Sequence, residues 1–299
     1  MSEEILVALV GGSFSPPTNA HVDVIIAIGA KLKELSPEEQ VYVYITPVSQ
    51  AYNKRSIKCI LLENRRALMA AFIEAIQKKA PEGVSFILNE YEMKSEIPVI
   101  TADSLTSLKT RLESENPEKI IKLYLAQGQD NIEQILRRKW SKPDILDTYP
   151  LLMFPRGDGG FSANVKGNER IKDIITIEIP PDFREETSSS EVRSLFRRGK
   201  TDEAYRILHP LVADALRGLG SNPYESSKCD PPLTNAVSNL RKLNTRNRLV
   251  SSTTKKGGRR TYRKGRGLNL KRHTSRSKLS NGNSLSRNKG AKDKGRKVV

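Results

Sequence analysis

The feature that most constrains this chain is a repeated order of short, continuously apolar runs, each followed by a segment with helical spacing. Residues 5–10 are apolar at every position and end in Gly11-Gly12. A strand without polar alternation must be covered on both faces, which is the pattern of a parallel sheet between two helical layers. Val22, Ile25, Ile26, Leu32 and Leu35 predict a helix over 20–35, with Thr18 as its N-cap. Residues 41–46 (VYVYIT) are β-branched and aromatic and predict a strand that Pro47 ends. The same reading predicts further helices over 61–76, 101–112, 132–136, 189–198 and 210–219, and strands over 84–88, 120–126, 151–154 and 174–179. The expected fold is α/β, a doubly wound and mostly parallel sheet. In such sheets ligands bind beyond the C-terminal strand ends. The loops 11–19, 47–58, 89–101, 127–131 and 155–170 are therefore where chemistry is sought.

Charge divides the chain. Residues 225–299 hold 22 Lys/Arg against three acids, a net +19, whereas residues 1–224 carry a net −2. The body, 1–224, is long enough to bury a core. The segment 225–299 is dominated by Ser, Asn, Gly, Lys and Arg, with Tyr262 its one aromatic, and is expected to be a disordered basic tail. Its clusters, such as Lys255-Lys256 with Arg259-Arg260, suit sequence-independent nucleic-acid contact or an import receptor. A merely solubilising extension has the same composition. Two cysteines, Cys59 and Cys229, exclude a disulfide scaffold and a zinc pattern and point to a reducing compartment. No apolar run is long enough to cross a bilayer, and the acidic start does not resemble a secretory signal. An intracellular protein, cytoplasmic or nuclear, with no membrane partner is expected.

The first loop reads Gly11-Gly12-Ser13-Phe14-Ser15-Pro16-Pro17-Thr18-Asn19-Ala20-His21. Bare glycine backbone, a helix N-terminus and a movable donor such as His21 together suit an anionic phosphate. A tight strand-to-helix turn with an exposed histidine is an equally good reading of the bare pattern. Neither a Walker sequence nor GxGxxG after a strand is present.

This segment resembles the signature of the nicotinamide/nicotinate mononucleotide adenylyltransferases, members of the HxGH nucleotidyltransferase superfamily. Ser15 departs from the usual Asp or Asn, and Ala20 from the usual Gly. Further segments are similar to that family in the same order. They are 46–55 (TPVSQAYNKR), Tyr91-Glu92, 100–105 (ITADSL), Gln127-Gly128-Gln129-Asp130, Trp140, 187–193 (TSSSEVR) and 208–212 (LHPLV). The resemblance spans about residues 5–220 and says nothing about the tail.

It implies a Rossmann-like HxGH nucleotidyltransferase fold. It also implies adenylyl transfer from ATP to a pyridine mononucleotide, forming NAD or its deamido form and pyrophosphate, and a homo-oligomer. By the resemblance, His21, Lys54 and Arg193 are catalytic. Gly12, Ser13, Phe14, Thr18, His21, Gly128, Asp130, Ser190 and Arg193 bind ATP. Ser13, Phe14, Lys54, Tyr91, Thr101, Trp140 and Arg156 bind the mononucleotide. Magnesium is implied as an ion carried on substrate phosphates, with no protein metal site. Each residue also has a plain structural reading. Lys54 suits solvated surface, Gly128 and Asp130 a turn and a helix start, and Tyr91 and Trp140 a core or rim. Ser188-x-x-Glu191 is a capping box by itself. His209 before Pro210 reads as structural. Two other functions stay open. One is another HxGH nucleotidyltransferase, acting on a phosphopantetheine, flavin or choline phosphate. The other is a nucleic-acid-binding protein built on an inactive nucleotidyltransferase body.

Overall fold

The first strand, β1 (Glu4–Gly12), is buried on both sides because it has a neighbour on each edge and a helical layer on each face. Leu6, Ala8 and Val10 join one apolar cluster, and Ile5, Val7 and Leu9 join another. The alternation of a strand's side chains thus feeds two cores from one continuous apolar run. The computed structural model describes residues 3–140, 145–155, 161–162, 165, 167–178 and 187–225. The readings of 225–299 as a disordered tail and of Arg156 as a site residue rest on residues outside these, Glu225 apart. Contacts divide the chain into units Met1–Leu240 and Arg241–Val299, and the second lies wholly outside the described residues.

In chain order the elements after β1 are α1 (Asn19–Leu35), β2 (Gln40–Pro47), α2 (Arg55–Lys58), α3 (Leu62–Gln77), β3 (Val84–Leu88), α4 (Thr101–Glu115), β4 (Ile120–Gly128), α5 (Gln129–Leu136), α6 (Ile145–Thr148), β5 (Leu151–Phe154), β6 (Ile174–Thr176), α7 (Ser189–Arg197), α8 (Thr201–Ile207) and α9 (Pro210–Arg217). Short 3₁₀ turns span Glu169–Asp173 and Pro223–Glu225. The six strands form one sheet in the order β3-β2-β1-β4-β5-β6, and every pair is parallel. The expected doubly wound α/β architecture is therefore present.

Chain order reverses between β1 and β4, so a crevice opens beyond their C-terminal ends. Register lines Gly12 up with Pro47, Ile45 with Leu88 and Gly128 with Phe154. The loops leaving these strands share one edge of the sheet. Helices α1, α3, α7, α8 and α9 contribute to one core cluster, and α4 and α5 to the other.

Several expected boundaries shift. The 174–179 strand ends at Thr176, and the loop 47–58 contains α2, a single turn too short to show a helical period. Helix α8 was not foreseen, since Ala204 is its one buried residue. Helix α9 stops at Arg217 rather than 219. Cys59 is not a free thiol in the structure; Cys229, the other cysteine, lies outside the described residues.

His209 is structural, as expected. Its Nδ1 accepts from the Leu211 N–H and caps α9, with Pro210 at the first helical position. Burial, helped by Lys79 and Lys78, holds its pKa below the ordinary histidine value. A depressed pKa means that the folded state favours the neutral ring. The cap's contribution is present above pH ~6.5 and is lost as pH falls through the folded pKa. Such a cap is worth about 1 kcal/mol. His209→Ser keeps a capping oxygen that does not titrate. Its melting temperature should fall less than that of the wild type between pH 7 and pH 5, measured by calorimetry.

Candidate active site

The loop between β1 and α1 is held by residues from four other parts of the chain. Gly12 accepts from the Val48 N–H at 3.0 Å, which joins this loop to the one after β2. A Cβ on Gly12 would lie 2.8 Å from the Phe14 ring, so this glycine is required by close approach of a side chain. Phe14 has φ +42°, a left-handed conformation that costs a non-glycine residue about 1–2 kcal/mol. Its ring offsets that strain by burial. It packs at 5.7 Å from Phe72 and meets the His21 ring edge-on at 5.4 Å. The Ser15–Pro16 peptide is cis.

Thr18 caps α1 and fixes the His21 imidazole. The Thr18 N–H donates to Nδ1 at 3.2 Å, and Thr18 Oγ1 lies 2.7 Å from the same nitrogen. A backbone N–H can only donate, so Nδ1 is an acceptor and the neutral ring carries its proton on Nε2. His21 thus offers an N–H donor in the first turn of a 17-residue helix whose dipole favours anions there.

Lys54 Nζ donates to Ser13 Oγ at 3.2 Å, on the exposed side of the loop. Arg193 is buried in α7. One terminal nitrogen donates to the Ser15 carbonyl at 2.6 Å, and the other to Ser190 Oγ at 3.0 Å. Ser190 itself is exposed, so the guanidinium sits between the buried loop and the open N-terminus of α7. Ser189 donates to the Pro16 carbonyl at 2.8 Å and docks α7 on the loop. Ser188 Oγ accepts from the Glu191 N–H, the predicted cap. The structure therefore gathers Gly12, Ser13, Phe14, Thr18, His21, Lys54, Ser190 and Arg193 around one segment.

The other expected residues stand on neighbouring elements. Gly128 caps α5, and a Cβ there would meet the Phe154 ring at 2.9 Å. Asp130 is exposed in the first turn of α5, where its charge suits the dipole. Tyr91 is exposed after β3 and donates its N–H to Asn89 Oδ1. Thr101 is the first residue of α4, half-buried. Trp140 packs half-buried against the core cluster beneath α4 and α5. Among the described residues no three His, Cys, Asp or Glu side chains lie together to hold a metal.

Four buried polar residues were not foreseen. Ser15 Oγ donates to the Ser56 carbonyl and so accepts from the Tyr224 hydroxyl at 3.1 Å. Burial pushes the Tyr224 phenol up to about 12, against the pull of Ser15, Arg193 and Arg65. Burial likewise raises Glu92, opposed by the Ser104 hydroxyl and by the Arg65 charge. Arg65 is fully buried, and burial lowers its pKa to about 10 despite Tyr224 and Glu92 nearby. One signal pointed to Arg65. It lies on the helix stripe that continues through Leu68, Met69, Phe72 and Ile76.

A parallel sheet with a phosphate-suited loop at its switch point defines a class of nucleotide-handling α/β domains. The family model described as cytidylyltransferase-like matches residues 9–195, and the chain belongs to that family of nucleotidyl-transfer proteins. Two solved structures share the fold. One is Plasmodium falciparum nicotinic acid mononucleotide adenylyltransferase complexed with APC. It is 21% identical, covers 73% of this chain and 98% of its own, and has a TM-score of 0.52. The other is the same Plasmodium falciparum enzyme complexed with NaAD, at 21% identity, 74% and 98% coverage and a TM-score of 0.53. No curated protein matches the chain. Among the described residues no helix is long and apolar enough to cross a membrane.

Proposed function

We propose that this chain transfers the adenylyl group of ATP to nicotinate or nicotinamide mononucleotide, giving deamido-NAD or NAD and pyrophosphate. One observation carries the reading. His21, Lys54 and Arg193, far apart in sequence, all engage the 13–18 segment. Similarity of fold to one nicotinic acid mononucleotide adenylyltransferase, seen in two of its structures, supports the pyridine acceptor.

The acceptor's phosphate is already an anion, so the reaction needs no general base. A phosphate oxygen attacks the α-phosphorus in line and forms the new P–O bond. The bond to the bridging oxygen breaks, and its electron pair leaves with pyrophosphate. The protein's task is to bring two anions together and to neutralise the charge that develops. His21 Nε2–H and the first N–H groups of α1 face the transferred phosphate. Lys54, beside Ser13, holds the attacking phosphate. Ser190 and Arg193 at the start of α7 hold the leaving pyrophosphate. Magnesium, carried on the substrate phosphates, would lower their charge.

The test is pyrophosphate release from ATP with each mononucleotide in parallel, with phosphopantetheine, flavin mononucleotide and choline phosphate as controls. Release with a pyridine mononucleotide alone is expected. Release with a control only, or with none, overturns the proposal.

A further inference from the structure

Arg65 lies in the first turn of α3 with no exposed surface, and its side chain carries a formal charge into the core. Burying such a charge costs several kcal/mol unless its surroundings answer it. Its bonds go to two backbone carbonyls and, at 3.5 Å, to the Gln50 side-chain oxygen, rather than to a carboxylate. One terminal nitrogen donates to the Val48 carbonyl at 2.7 Å and the other to the Ser13 carbonyl at 3.2 Å. Its Nε is buried with no partner. Packing alone would favour an apolar residue here, as at Leu68, Met69 and Phe72 on the same stripe. The two carbonyls belong to the loops that follow β1 and β2, the loops that carry Ser13 and Lys54.

We infer that Arg65 is a positioning residue for the phosphate site, a fork that sets these two loops in one fixed relation. In a trans peptide the carbonyl and the following N–H point in opposite directions. Drawing the Ser13 carbonyl inward to Arg65 therefore turns the Phe14 N–H outward, away from the core. The same holds for the Val48 carbonyl and the Ser49 N–H. The Gly12–Val48 backbone bond is one tie between the loops, and the Arg65 fork is a second on the buried side. Together they fix the separation that lets Lys54 Nζ reach Ser13 Oγ. A lysine at position 65 carries its three donors on one nitrogen, so it cannot place them where the two terminal nitrogens of the guanidinium stand.

This inference rests on the reading of the loop as a phosphate site. The test therefore separates the two with a bare anion. Inorganic triphosphate is titrated into the full chain by calorimetry, at a temperature well below the melting point, for wild type, Arg65→Lys and Arg65→Met. Both variants are expected to bind it more weakly by about tenfold or more, with kcat reduced alongside, since small misplacements of positioning groups have effects of this size. Arg65→Lys, which keeps the charge and is the safer folder, should not recover wild-type binding. Affinities within twofold of wild type in Arg65→Lys overturn the fork, whatever the melting temperatures show. Absence of triphosphate binding in the wild type overturns both this inference and the phosphate reading beneath it. If wild type binds triphosphate but turns over neither mononucleotide, the proposed reaction fails alone, and the Arg65 variants still decide the fork.

Discussion

His21→Ala is expected to lower kcat by about 100- to 1,000-fold, the usual consequence of removing one preorganised donor from a developing phosphate charge. The argument is geometric. Thr18 fixes the ring through Nδ1 and so leaves Nε2 as the donor. Alanine deletes that N–H but leaves the helix N-terminus and the loop in place. The structural loss is modest: the edge-on contact with Phe14 is worth about 0.5–1.5 kcal/mol, and the Thr18–Nδ1 contact about 1 kcal/mol more. For a body of this size that is a shift of a few degrees in melting temperature, roughly 2–4 °C per kcal/mol. Steady-state kinetics beside a thermal melt decide the matter. A variant with near-normal kcat removes His21 from the chemistry.

Arg193 should combine a stability effect with an activity effect. It is buried, and its 2.6 Å bond to the Ser15 carbonyl spans 178 positions of sequence. Arg193→Met leaves that carbonyl without its donor, a loss of about 1–3 kcal/mol. It also breaks the link to Ser190 at the open end of α7. Arg193→Lys keeps a charge and one bond, so it should melt closer to wild type. Its kcat/KM for ATP should still fall by about 100-fold, because an ammonium cannot hold the fork that a guanidinium holds. The lysine variant separates the two roles. If its kcat/KM stays within a few-fold of wild type, Arg193 serves the fold and not the pyrophosphate.

The sheet was legible because residues 5–10 of β1 are apolar at every position, and only a central strand covered on both faces tolerates that. The first loop was legible for a related reason: glycine, a helix cap and histidine fall within eleven residues. Lys54 and Arg193 are not linked to that loop by local spacing; a resemblance pointed to them, and the fold brings both to it. What stayed hidden has a physical cause in each case. A four-residue helix such as α2 is shorter than the period that would reveal it. The Ser189 hydroxyl is indistinguishable from its two neighbours until α7 is docked on Pro16. Bare glycine backbone suits a close ligand, and no local pattern showed that Gly12 and Gly128 also each make room for an aromatic ring. Ser15 departs from the family's usual acid or amide, and its partner Tyr224 lies 209 positions away, beyond any local signal.

Tyr224 has a practical corollary for how the protein is trimmed. Its phenol latches the loop between β1 and α1 through Ser15, and the turn that carries it, Pro223–Glu225, directly precedes the basic stretch. A stop codon placed after Glu225 sheds 22 basic residues yet keeps the latch. One placed before Pro223 also pulls out a fully enclosed aromatic and leaves a hollow beside that loop. Loss of turnover in the shorter product would then report a missing keystone and say nothing about the tail.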